Sequence, residues 1–185
     1  MTATTGELPP EDDGIRLRNL KKLRDAKKAI QDIAEENARR ASQAAEESAK
    51  EAEDAFQASG SRNSKDDVEN IWEKIRKGAK EKVGAVIDET VDSMKAKVKE
   101  LGISPELPEV RSVFKRAVEL VTRALKAVVE ELVSVFRKIW DGIVAFWEGV
   151  KEYMTKVGRA VEDVVSQIQA YFAGDRQPRP YAMVF

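Results

Sequence analysis

Apolar positions recur every third or fourth residue along most of this chain, the spacing that lines one face of an α-helix. Prolines fall only near residues 9–10, 105–108 and 178–180, so the long stretches between them lack the residue that most strongly stops a helix. The pattern predicts an all-α fold: an elongated, coiled-coil-like helical bundle, with a long Ala-rich N-terminal helix followed by two or three amphipathic helices. It assigns a tail to 1–14, the long helix to 15–59, a linker to 60–66, an amphipathic bundle to 67–173 and a proline-containing C-terminal tail to 174–185.

The first helix has a thin apolar face. Its large apolar residues are Ile15, Leu17, Leu20, Leu23, Ile30, Ile33 and Phe56, and alanine makes up the rest of the stripe. Residues 25–35, 36–46 and 47–57 align as DAKKAIQDIAE, ENARRASQAAE and ESAKEAEDAFQ, with Ile30, Ala41 and Ala52 at the sixth position and Ile33, Ala44 and Ala55 at the ninth. Eleven residues in three turns keep such a stripe aligned on a straight or slightly right-handed helix. Residues 25–57 resemble the tandem 11-residue repeats of late-embryogenesis-abundant proteins and, more loosely, the exchangeable apolipoproteins, on composition and period. The resemblance implies a helix that forms on membranes or on drying. An ordinary long surface helix, packed loosely along the bundle or projecting from it as an arm, fits the same pattern.

The next helix, expected over 67–102, opens on Ser64 and Asp67 with further acids at Asp66 and Glu69, which suit the positive end of a helix. It stops at Gly102 after Lys97 and Lys99. The segment 109–173 is the richest in large apolar residues. A series running from Val110 and Phe114 to Ile168 and Tyr171 steps by three or four, and Val129, Val133, Trp140, Trp147 and Met154 widen its face. Three to four apolar positions per heptad is broader than a two-stranded seam and calls for two or more neighbours. Unbroken phase allows a single rod here; a break at 141–142, Asp-Gly, allows a helix pair instead.

Composition narrows the chemistry. The chain has 185 residues, no cysteine and no histidine, which removes disulfides, thiol catalysis, histidine-based triads and the usual zinc sites. Phosphate-binding loops, dinucleotide fingerprints and calcium loops are missing from the sequence. Acidic pairs fall on solvated faces, so the sequence points to no enzyme, no cofactor and no metal. No apolar run approaches the ~20 residues of a membrane span, and no secretory signal is recognisable; the expectation is a cytoplasmic protein, peripheral to a membrane at most.

Thirty-two basic and thirty-three acidic residues nearly cancel, but they are not mixed evenly. Arg16, Arg18, Lys21, Lys22, Arg24, Lys27 and Lys28 face a single acid, Asp25, a local balance of +6. With Leu17, Leu20 and Leu23 among them, these residues are candidate contacts for an anionic surface. Nucleic acid is disfavoured as the partner, because no aromatic interleaves the run and no groove-reading motif follows. Phe136, Trp140, Phe146, Trp147 and Tyr153 crowd into 18 residues and form a candidate interface or lipid face, a bundle core being the plain alternative. The polar residues around them balance at ten basic and ten acidic over 106–163, as on a solvated bundle exterior rather than a helix built for anionic lipid. Met183 and Phe185 are candidate docking residues for strand addition to a partner groove. The sequence is therefore read as a non-enzymatic helical interaction or scaffold protein, self-associating or bound to a protein partner; the alternative is a peripheral lipid-surface-binding protein.

Overall fold

The computed structural model describes residues 13–59, 65–140 and 145–174. They form four helices: α1 (Asp13–Ser59), α2 (Lys65–Glu100), α3 (Pro108–Trp140) and α4 (Phe146–Gly174). Among the described residues there is no strand. The all-α bundle expected from the periodicity is the fold, and the segment 109–173 is a helix pair. Positions 141–142, where the sequence allowed a break, lie outside the described residues.

The α2–α3 junction shows how the local sequence dictates geometry. Gly102 adopts φ +74°, a left-handed conformation that favours glycine. Its N–H bonds the carbonyl of Lys99 at 2.9 Å, and the N–H of Ile103 reaches back to Val98 at 3.2 Å. This paired closure satisfies the end of α2 and brings buried Ile103 over buried Val98. Pro108 then opens α3 at the one helical position where its missing N–H costs nothing.

Direction alternates along the chain. Lys82 on α2 bonds Glu51 (2.6 Å) and Glu47 (3.1 Å) on α1, while Glu89, further along α2, pairs with Arg40, earlier on α1. Phe146 at the start of α4 stacks on Phe56 near the end of α1, and Gln169 near the end of α4 reaches Glu35. Helix α1 packs against the other three; α3 packs against α2 and α4; α2 and α4 do not meet among the described residues. The cross-section is therefore a rhombus whose short diagonal joins α1 and α3.

The alanine stripe makes that short diagonal possible. Ala26, Ala34, Ala38, Ala41, Ala45 and Ala52 are buried, and opposite them α3 buries Leu120, Leu125, Val128, Leu132 and Val135. Small side chains on one helix let the other approach closely and fill the gap with its own larger ones. The sixth repeat position, Ile30, Ala41 and Ala52, is buried in all three copies. The Ala-rich helix is thus a central member of the bundle rather than a loosely packed companion, and only its N-terminal end projects. Three buried polar side chains are satisfied within their own helices: Asn37 donates to Ile33 O, Ser48 to Ala44 O and Thr90 to Val86 O.

Candidate interaction surface: the overhang of α1

Helix α1 has 47 residues against 36 in α2. The pairings Phe56–Phe146 and Trp72–Phe136 make the four helices nearly flush at the C-terminal end of α1. The excess of eleven residues therefore lies at its N-terminal end, an overhang of about 16 Å at 1.5 Å per residue. Leu23 still packs against the core, and Lys22 Nζ lies close to Gly102 at the α2–α3 turn. Beyond them Leu17 and Leu20 are 67% and 56% exposed, although their spacing belongs to the apolar stripe.

The same geometry explains the exposure. Leu17, Glu35 and Glu53 are eighteen residues apart in turn, five helical turns each, so they share one side of a straight α1; Leu20 and Phe56, ten turns apart, share another close by. Glu35 and Phe56 contact α4. Leu17 and Leu20 therefore lie on the side of α1 that α4 covers lower down, at a level that α4 does not reach. Leu17, Leu20, Lys21, Arg24, Lys27 and Lys28 follow one another at three- and four-residue steps or share a turn, which places two leucines and four cations on one face, with a single acid, Asp25, at its edge. Arg18 and Lys22 stand on its flank. The side chain of Arg16, and Met183 and Phe185, lie outside what the structure describes.

The aromatic cluster expected to form one interface is divided by the packing. Tyr153 is fully buried and donates to Val128 O at 3.2 Å; burial pushes its phenol well above the usual range, with neighbouring Ser48 opposing. Phe146 is buried between Phe56 and Phe136, and Phe136 is itself half-buried and stacked on Trp72, 3.9 Å between ring centroids. These three rings face inward because their spacing continues the core stripes of α3 and α4, so they do not form an exposed lipid or partner face in this fold. Trp147 is the exception at 55% exposed, and Phe56 beside it is 53% exposed; the side chain of Trp140 is not described. Phe56 was not singled out from sequence, although the repeat offered a signal: the tenth position reads Ala34, Ala45, Phe56.

The other titrating groups with shifted equilibria belong to ion pairs on the surface. Glu51, and then Glu47, hold Lys82 protonated above its usual range. Lys138, 2.7 Å away, and Lys156 keep the Glu152 carboxyl below the usual carboxylate value. Glu131 and Glu152 in turn raise Lys156. An open depression of about 710 Å³ follows the outer face of α3 past Phe114, Val118 and Thr122, and none of these shifted groups lines it. No cluster of acids capable of holding a metal occurs among the described residues, and no described helix is long and apolar enough to cross a membrane.

The chain defines a four-helix bundle carrying a basic, leucine-bearing overhang. Compared with known proteins, it matches no family, no curated sequence and no solved structure.

Proposed function

We propose that the protein is a non-catalytic helical interaction module, in which the bundle is a rigid mount and the α1 overhang engages an acidic, partly apolar protein surface. One observation carries this reading: Leu17 and Leu20 are exposed on a face with four cations and a single acid, Asp25, at its edge. Apolar side chains ringed by charge of one sign suit a complementary surface of the other sign, with charge setting approach and orientation and the leucines adding burial.

A photo-crosslinking residue at position 17, introduced into the full chain in its native cells, tests it. The expected result is a discrete protein adduct that disappears when Lys21 and Arg24 are changed to glutamate. Adducts to lipid alone, or none at all, would overturn the reading.

A second reading rests on the same cations. A basic face with two leucines can lie on anionic lipid. Flotation with vesicles rich in phosphatidylserine separates the two: this reading requires salt-sensitive binding that is lost in Leu17→Ser/Leu20→Ser.

A further inference from the structure

Leu17, Lys21, Arg24 and Lys28 follow one another at three- and four-residue steps down the overhang, with Leu20 beside them, and all five are exposed. The line from Leu17 to Lys28 is about 16 Å long. Helix α4 ends at Gly174. Because Gln169 meets Glu35, Gly174, five residues further along an antiparallel helix, is level with about residue 30 of α1. Among the described residues, nothing of α4 stands over the face above that level.

Residues 1–12 precede α1 and lie outside the described residues. They carry the acids Glu7, Glu11 and Asp12, with Leu8 among them, and no lysine or arginine. Pro9 and Pro10 disfavour helix for the residues before them, so the sequence does not carry α1 onward through Leu8. Glu11 and Asp12 also suit the positive start of α1, but that attraction fades within the first turn and gives no account of Glu7 or Leu8.

We infer that residues 7–12 fold back over the exposed side of the overhang, with Leu8 on Leu17 and Leu20 and the acids set against Lys21, Arg24 and Lys28. This rests on the protein-interaction reading above and gives that site its regulation: the chain's own acidic, apolar segment holds the place of the acidic, partly apolar partner, which must displace it. Length and charge select the occupant. Six extended residues span about 20 Å, enough to run from the start of α1 to the level of Arg24, about 16 Å below. The segment brings only acids to a side with three cations. The C-terminal segment 175–185 also begins near this face, but it carries Arg176 and Arg179 against one acid, Asp175, the same sign as the overhang. A short tether presents residues 7–12 at an effective concentration on the order of millimolar, so a contact too weak to hold between separate molecules is populated within one.

Nuclear Overhauser cross-peaks between leucine methyl groups in the full chain test the fold-back. Leu8 should give cross-peaks to Leu17 and Leu20 at low salt. They should fade at about 1 M salt and vanish in Glu7→Lys/Glu11→Lys. Adding Lys21→Glu/Arg24→Glu should bring them back, since the opposed signs are then exchanged. Circular dichroism verifies that each variant stays helical. With the photo-crosslinker at position 17, Glu7→Lys/Leu8→Ser should raise the yield of the protein adduct about tenfold, the effect of a face covered roughly nine-tenths of the time.

No cross-peak from Leu8 to either leucine in the folded chain at low salt overturns the inference. So do cross-peaks indifferent to the charge exchange, or cross-peaks arising between differently labelled chains, which make the occupant a second copy. Cross-peaks from Met183 or Val184 in place of Leu8 give the face to the C-terminal segment and overturn it as well. A protein adduct at position 17 without cross-peaks from Leu8 keeps the interaction reading and removes the cover. Cross-peaks from Leu8 with no adduct in any variant keep the cover and remove the interaction reading.

Discussion

Single residues in this bundle are sorted by how much room the rhombic packing leaves them. A Cβ added at Gly149 would meet Ile139 Cδ1 and Cγ1, with Val135 Cγ1 at 3.3 Å. Gly149 therefore sets how closely α4 lies on α3, and Gly149→Ala should destabilise by about 1–3 kcal/mol through overpacking, less the helix-propensity gain. Gly84 and Gly158 have open space at the same atom, so Gly84→Ala and Gly158→Ala should stabilise by about 0.5–1 kcal/mol. Urea unfolding of the three variants checks the contrast, and an equal response at all three would contradict the packing account. The Lys138–Glu152–Lys156 cluster adds a pH signature. Its lysines lower the Glu152 pKa in the fold, so this stabilisation is present above the ordinary carboxylate value and is lost as pH falls through the depressed one. The melting temperature of Glu152→Gln should fall slightly below that of the unaltered chain at pH 7, and the gap should close as the carboxyl protonates below the ordinary carboxylate range.

At the scale of the helix, the sequence is informative wherever period and punctuation act locally. Gly102 and Pro108 mark the α2–α3 junction because a left-handed cap and a proline-tolerant first turn are properties of a few consecutive residues. Helix identity was legible for the same reason. The place of α1 in the fold was not. An alanine stripe reads as weak because it buries little area of its own, and its effect depends on what approaches it. In the bundle, α3 brings Leu120, Leu125, Val128 and Leu132 onto the short diagonal and supplies the volume that α1 lacks. The aromatic run misled in the opposite sense: Phe136, Phe146 and Tyr153 suggest an amphipathic surface by composition, yet their phase belongs to the core, and Trp147 alone among the described members stays out. This account predicts that size on α1 is harmful. Ala41→Leu, at a fully buried site, should cost about 2–3 kcal/mol by forcing α1 and α3 apart, whereas Ala58→Leu, at an exposed site, should change stability by less than about 0.5 kcal/mol. Thermal unfolding of the pair checks this, and tolerance of leucine at position 41 would mean that the diagonal contact is looser than the packing indicates.

For the whole molecule, the decisive property is that, among the described residues, α1 contacts every other helix while α2 and α4 contact only α1 and α3. Without α1, the apolar sides of α2 and α4 would still flank α3, but the centre of the bundle would lie open along its length. Three amphipathic helices carrying stripes as broad as those of α3 and α4 cannot close that gap by small shifts, because close-packed interiors do not deform continuously. Folding should therefore be one cooperative transition of all four helices, with no independently stable subset. A chain beginning at residue 60 should keep part of its helical far-UV signal, lose near-UV signal from its tryptophans, bind a hydrophobic dye and show no cooperative melt. Adding the α1 segment in trans should restore the near-UV signal, since the missing element is a surface to pack against rather than a covalent link. Removing only residues 1–20 tests the complementary point. That cut takes the exposed part of the overhang and leaves Leu23 and Ala26 on the core, so the cooperative melt should survive within a few degrees. A native near-UV spectrum from the chain lacking α1 would show that α2, α3 and α4 make a core on their own. Collapse of the chain lacking only residues 1–20 would show that the overhang belongs to the core and is not a surface held out for a partner.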